Sequence, residues 1–164
     1  MSKTEENLKE AFAGESQANR KYLAFAKKAQ KEGYPQVAKL FRAAAEAETV
    51  HAHAHLQALG AVESTRKNLE TAVAGETHEF QKMYPDMIVD ARDEGNAVAE
   101  RSFSYANEVE QVHARLYQKA VENMDNLEPV DYYVCSVCGY TCETEPPETC
   151  PVCGSGKKAF FEVE

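Results

Sequence analysis

Apolar residues recur every three to four positions through roughly the first 125 residues of the chain, the period of helices with one buried face. Leu8, Phe12, Glu15, Asn19, Tyr22, Ala26 and Ala29 form one such stripe, and the pattern predicts a helix over about residues 4–32 that stops at Gly33. A second begins near Pro35, a favoured first-turn residue, and its stripe is Val37, Phe41, Ala44, Glu48, His51, His55 and Leu59. A third is predicted over about residues 65–94, ending at Gly95. A fourth carries Ala99, Phe103, Ala106, Glu110, His113, Tyr117, Ala120 and Met124 on one face. Helices of about 28 residues are ~40 Å long, and short connections favour antiparallel neighbours, so a mainly α, antiparallel four-helix bundle is expected.

The two halves of this region repeat one another. Ala13-Gly14-Glu15 matches Ala74-Gly75-Glu76, and Glu48-Thr49-Val50-His51 matches Glu110-Gln111-Val112-His113. Gly33 to Glu48 and Gly95 to Glu110 are both separations of 15, but Glu15 to Gly33 is 18 and Glu76 to Gly95 is 19. The third helix therefore holds one extra residue. If Tyr22 and Tyr84 are equivalent, the insertion lies between Glu76 and Tyr84, a window that contains Glu79. Such an insertion is usually absorbed as a π-bulge, although Pro85 offers an ordinary kink as the alternative.

After a polar linker at residues 126–130, which includes Pro129, helical periodicity stops, and cysteine, proline and glycine become frequent in residues 131–164. The bundle domain is accordingly placed at residues 1–125 and a second, small domain at 131–164. None of the five cysteines precedes Cys135. Cys135-Ser-Val-Cys138-Gly and Cys150-Pro-Val-Cys153-Gly are paired knuckles whose turns aim two sulfurs each at one point. Four thiolates at this spacing predict a tetrahedral metal site, with iron and zinc both admitted by the geometry. Cys142 is left over as a free thiol.

In the bundle, one glutamate per helix falls on an apolar stripe: Glu15, Glu48, Glu76 and Glu110. Burying an unpaired carboxylate costs several kcal/mol, and four converging carboxylates repel each other as well. No comparable set of Lys or Arg shares those stripes, so two divalent cations are the expected counter-charge. His51 and His113 each follow a stripe glutamate by three residues, on the same helical face. One Glu from each of two helices plus Glu-x-x-His from each of the other two is the arrangement of di-iron and di-manganese carboxylate bundles. This hard, oxygen-rich shell suits iron or manganese. Glu79, three residues after Glu76, is by spacing either a further ligand or a solvated glutamate. If it is a ligand, it competes with His51 for one position, ferric ion favouring the carboxylate and ferrous ion the imidazole. His53 is expected in solvent and His55 in packing, while Tyr22 and Tyr84 are candidates to hydrogen-bond the ligand carboxylates.

Acidic residues outnumber basic ones by 27 to 18, a formal charge of −9, which disfavours nucleic acid and anionic membranes as partners. No apolar run approaches a membrane span and residues 1–8 do not look like a signal peptide, so a cytoplasmic location is expected.

The order Glu15, Glu48-x-x-His51, Glu76-x-x-Glu79, Glu110-x-x-His113, then C-x-x-C-G and C-P-x-C-G, closely resembles the rubrerythrin family over essentially the whole chain. The resemblance implies a ferritin-like bundle with two iron ions, and a rubredoxin-like domain with short β hairpins holding one further iron, for which zinc can substitute. It implies Glu48 and Glu110 as bridging ligands, Glu15 and Glu76 as terminal ones, and His113 on the second iron. The first iron would exchange between His51 when reduced and Glu79 when oxidised, and Tyr22 and Tyr84 would hydrogen-bond the carboxylates, so these four residues are the catalytic candidates. The implied activity is NADH-linked reduction of hydrogen peroxide to water in oxidative-stress defence. Its electrons would come from a donor such as a rubredoxin or an NAD(P)H-dependent reductase. The implied assembly is a homodimer or larger homo-oligomer, the rubredoxin-like module of one subunit facing the di-iron site of the other. Ferroxidase or iron-handling activity is the alternative. A zinc-ribbon interaction protein is a third class, discouraged by the acidic charge and the doubled Glu-x-x-His.

Overall fold

Ser2 opens the first helix with a reciprocal cap: its hydroxyl accepts from the Glu5 amide, and the Glu5 carboxylate accepts from the Ser2 amide. A computed structural model describes residues 2–164, so Met1, where the predicted bundle domain begins, lies outside the described residues. Helix α1 is Lys3–Lys31 and α2 is Pro35–Ala58, the latter starting on the proline as its sequence suggests. The third helical region is α3, Thr65–His78, a π-helical segment at Glu79–Met83, and α4, Tyr84–Asp93. Helix α5 is Ala97–Asn123 and a 3-10 turn follows at Met124–Asn126. The π-helix lies within the predicted insertion window, and the Tyr84 amide reaches back five residues to the Glu79 carbonyl.

Gly33 (φ +83°) and Gly95 (φ +70°) end α1 and α4 in the left-handed conformation that only glycine adopts freely. Each lets the following amide reach a carbonyl five residues back, Tyr34 to Ala29 at 2.9 Å and Asn96 to Ala91 at 2.8 Å.

Two compact units divide the chain, one through Glu63 and one from Ser64 onward, so the internal repeat and the compact units share a boundary. In the first unit α1 packs on α2 through alanines: Ala26, Ala29, Ala38, Ala45 and Ala52 are its buried residues. Asn19 pins the two helices, its amide donating to the Ala45 carbonyl (2.7 Å) and the Thr49 hydroxyl (2.8 Å). In the second unit α3 and α4 pack against α5, where Ala91, Val109 and Ala114 are buried.

The C-terminal part of the second unit is a three-stranded antiparallel sheet of order β2-β1-β3, formed by β1 (Tyr132–Cys135), β2 (Thr141–Glu143) and β3 (Phe160–Glu162). Tyr133 pairs with Cys142 on one side and with Glu162 on the other. The fold is mainly helical with a small four-cysteine sheet module, as the sequence predicts. Among the described residues no helix is long and apolar enough to cross a membrane.

Candidate metal centres

The carboxylates and imidazoles come together by the three-residue spacing within a helix and by packing between helices. In the first unit α1 supplies Glu15 and α2 supplies Glu48 and His51, with one donor atom from each lying within 4.8 Å of the others. The His51 Nδ1 is 2.9 Å from Glu48 Oε2. In the second unit α3 supplies Glu76, and α5 supplies Glu110 and His113, in the same arrangement. There the His113 Nδ1 is 2.7 Å from Glu110 Oε2 and 3.9 Å from Glu76 Oε1. The repeat in sequence is thus a repeat in geometry. His51 is exposed, whereas the other five members of the two triads are half-buried.

Burial, the charge of Glu110, a hydrogen bond to Glu110 and the charge of Glu79 push the Glu76 carboxyl up to about 7. Burial and Glu110 also raise Glu79, while His78 and His113 pull it back. Glu79 is therefore in the electrostatic field of the second triad without belonging to it, on the first residue of the π-helix. Tyr84 stands in the same field: burial, then Glu79, Glu110 and Glu76, keep its hydroxyl protonated beyond the usual phenol range. Tyr22 packs its ring against Phe25 and Phe41. Carboxylates crowded until one holds a proton near neutrality, with imidazole nitrogens turned toward them, form a donor set that a hard divalent cation satisfies.

The four-cysteine cluster is built from two turns. Gly139 (φ +85°) and Gly154 (φ +75°) close them, their amides donating to the carbonyls of Cys135 and Cys150. Cys135 Sγ lies 3.7 Å from Cys153 Sγ, and Cys138 Sγ 3.5 Å from Cys150 Sγ. Burial raises Cys138 and Cys150. It opposes ionisation of Cys153 too, yet hydrogen bonds from the Ser155 hydroxyl and amide, and from neighbouring cysteines, bring that thiol down to about 6. Four converging sulfurs, one of them already poised as thiolate, fit a tetrahedral metal. Cys142 lies outside this cluster, on β2, with its sulfur 3.7 Å from the Glu145 carbonyl.

Two residues carry no signal in the sequence. Ser155 sits 3.3 Å from Cys153 Sγ. The Thr141 hydroxyl lies 2.9 Å from His113 Nε2, joining the four-cysteine module to helix α5 of the same chain.

The rubrerythrin family model matches residues 6–121, and that of the rubrerythrin rubredoxin-like domain matches residues 133–161. Rubrerythrin-2 of Clostridium acetobutylicum is 36% identical over 174 aligned positions, covering 96% of this chain and 95% of that protein. Nigerythrin of Nitratidesulfovibrio vulgaris is 37% identical, over 96% of this chain and 85% of that protein. A solved structure described as the fully reduced, all-ferrous state of nigerythrin is similar with a TM-score of 0.61 and 36% identity, covering 99% of this chain and 88% of that one.

Proposed function

The chain belongs to the rubrerythrin family, and from that premise we propose that it is a non-haem di-iron peroxidase that reduces hydrogen peroxide to water. The family carries a di-iron carboxylate site and a rubredoxin-like four-cysteine site, and it is associated with oxidative-stress defence. The observation that carries the peroxidase reading is the pairing of two Glu-Glu-His triads with a four-sulfur cluster in one chain. Peroxide reduction consumes two electrons and two protons for each O–O bond broken, giving two water molecules. Iron held by the carboxylates would supply those two electrons, and iron held by the four cysteines would restore them one at a time.

In this reading the protein's own residues divide the labour. Glu15 and Glu48 in the first unit, and Glu76 and Glu110 in the second, would be carboxylate ligands of the two iron ions. His113, whose Nδ1 faces Glu110, would supply an imidazole ligand. His51, which is exposed, would be the alternative ligand in the reduced form and Glu79, half-buried on the first residue of the π-helix, the alternative in the oxidised form. Tyr84, with its proton firmly held, donates to the ligand carboxylates, and Tyr22 does the same for the other half. Cys135, Cys138, Cys150 and Cys153 hold the third iron. The bundle of residues 1–125 and the module of 131–164 work as one cytoplasmic homodimer or larger homo-oligomer. It is fed by a rubredoxin or by an NAD(P)H-dependent reductase.

The test is a single turnover. The fully reduced, iron-loaded protein is mixed anaerobically with hydrogen peroxide, or in parallel with oxygen, and iron oxidation is followed in a stopped-flow spectrometer. Faster oxidation by peroxide is expected; much faster oxidation by oxygen would transfer the assignment to ferroxidase.

A further inference from the structure

A cavity of about 340 Å³ lies inside the second unit, between α3, α5 and the sheet. Its walls are Leu69 of α3, Leu116, Tyr117 and Ala120 of α5, and Tyr132 of β1. Leu116 and Ala120 stand one turn apart on α5, and the small side chain of Ala120 leaves the space open. The Tyr132 ring is a fixed wall. Its hydroxyl donates to Glu143 at 3.4 Å, and Lys119 Nζ donates to both oxygens of the same carboxylate at 2.8 and 2.9 Å. Tyr117 is 38% exposed, so the cavity reaches solvent along its ring.

One end of the cavity is polar. It is lined by Thr141 and His113, with the Thr141 hydroxyl 2.9 Å from His113 Nε2 and donating to the Gly139 carbonyl at 3.1 Å. A hydroxyl has one proton and two lone pairs. The proton is spent on Gly139 and one lone pair on the ring N–H, which leaves the second lone pair for an O–H brought by a ligand. The other ring nitrogen, Nδ1, is 2.7 Å from Glu110.

Hydrogen peroxide has no apolar surface and gains nothing from such walls. The cavity instead has the size of a small-molecule site, with apolar and aromatic sides and one polar end that orients its guest. A helix, about 10 Å across with its side chains, does not enter a space of this volume. The guest that fits has an apolar body and one O–H donor.

We propose that this cavity holds the apolar body of an organic hydroperoxide, R–O–O–H, with its terminal O–H on Thr141, and so adds organic hydroperoxides to the substrates of the protein. This rests on the peroxidase reading above, which places O–O bond cleavage beside His113. The O–O bond breaks and two O–H bonds form, so that R–O–O–H, two electrons and two protons give R–OH and water. The electrons are those the reduced protein gives to hydrogen peroxide, the protons come from water, and the alcohol leaves past Tyr117.

The test compares substrates in the iron-loaded protein. The native protein should reduce both cumene hydroperoxide and hydrogen peroxide. Ala120→Phe fills the cavity and should lower kcat/KM for cumene hydroperoxide ~10-fold or more, while that for hydrogen peroxide stays near the native value. Leu69→Ala enlarges the same space without adding bulk, and should move the preference from tert-butyl hydroperoxide towards cumene hydroperoxide. Native protein that reduces hydrogen peroxide but not cumene hydroperoxide overturns the proposal, and so do variants that change the two substrates in parallel. Binding is read separately, without turnover. In zinc-loaded protein cumyl alcohol, the product, should shift the methyl NMR signals of Leu69 and Leu116 saturably in the native form and not in Ala120→Phe. No shift in the native form overturns the proposal. Saturable binding in a protein whose iron-loaded form reduces no peroxide of either kind would instead remove the peroxidase reading, and leave the cavity as a binding site for the alcohol alone.

Discussion

Glu76 concentrates the electrostatic problem of the site in one residue. Burial and the neighbouring Glu110 and Glu79 raise its carboxyl from 4.5 to about 7, so the metal-free folded state holds that proton more tightly than the unfolded chain does. The sign follows: this stabilising contribution is complete below about pH 4.5 and is lost as the pH rises through about 7. Metal-free protein should therefore melt at a lower temperature at about pH 8 than at about pH 5, and Glu76→Gln should flatten the difference. Bound metal, which replaces the proton, should flatten it too. Thermal melts of the metal-free and loaded forms measure this, and an unchanged slope in Glu76→Gln would refute the assignment. The stripe glutamates and their histidines were legible in the sequence because a ligand on a helix inherits the period of that helix. Thr141 was not, because it meets His113 from a strand 28 residues away and no period links a strand to a distant helix face.

At the scale of the element, the π-helix at Glu79–Met83 is the feature that breaks the symmetry between the two repeats. Counting residues between Glu76 and Gly95 reveals the insertion, but counting alone does not choose between a bulge and a kink at Pro85. The structure has the bulge, and Pro85 lies in the first turn of α4, directly after the π segment. A wider turn ahead of a proline relieves the clash its ring makes with the carbonyl four residues back. Deleting Gln81, an exposed residue inside the segment, should restore an uninterrupted α-helix and rotate one side against the other by about 100°. Helix content by circular dichroism should be preserved, while metal affinity at the carboxylate site should fall by roughly 10- to 100-fold. Retained affinity would show that the π segment does not place ligands. The cysteine knuckles, by contrast, were legible in full, because a C-x-x-C-G turn sets its own geometry and needs nothing distant.

For the whole molecule, the sequence separates a helical region from a four-cysteine module by composition, whereas the compact units divide at Glu63, where the internal repeat begins again. Composition reports the chemistry of a segment, while compactness reports which segments pack, and the module packs against α5 through Thr141, Gly139 and Glu143. The central claim is the proposed one, that the thiolate and carboxylate sites take part in one peroxidase reaction. The direct test uses Glu110→Ala, which removes a ligand of the second triad and leaves all four knuckle cysteines in place. Native and variant proteins are loaded with iron, reduced until the visible thiolate bands bleach, and then given hydrogen peroxide without oxygen. On the proposed reading, in which electrons reach peroxide from the thiolate iron through the carboxylate site, the bands should return promptly in the native protein and far more slowly in the variant. Equal return in both proteins would mean that the thiolate iron reacts with peroxide by itself, and would contradict the account.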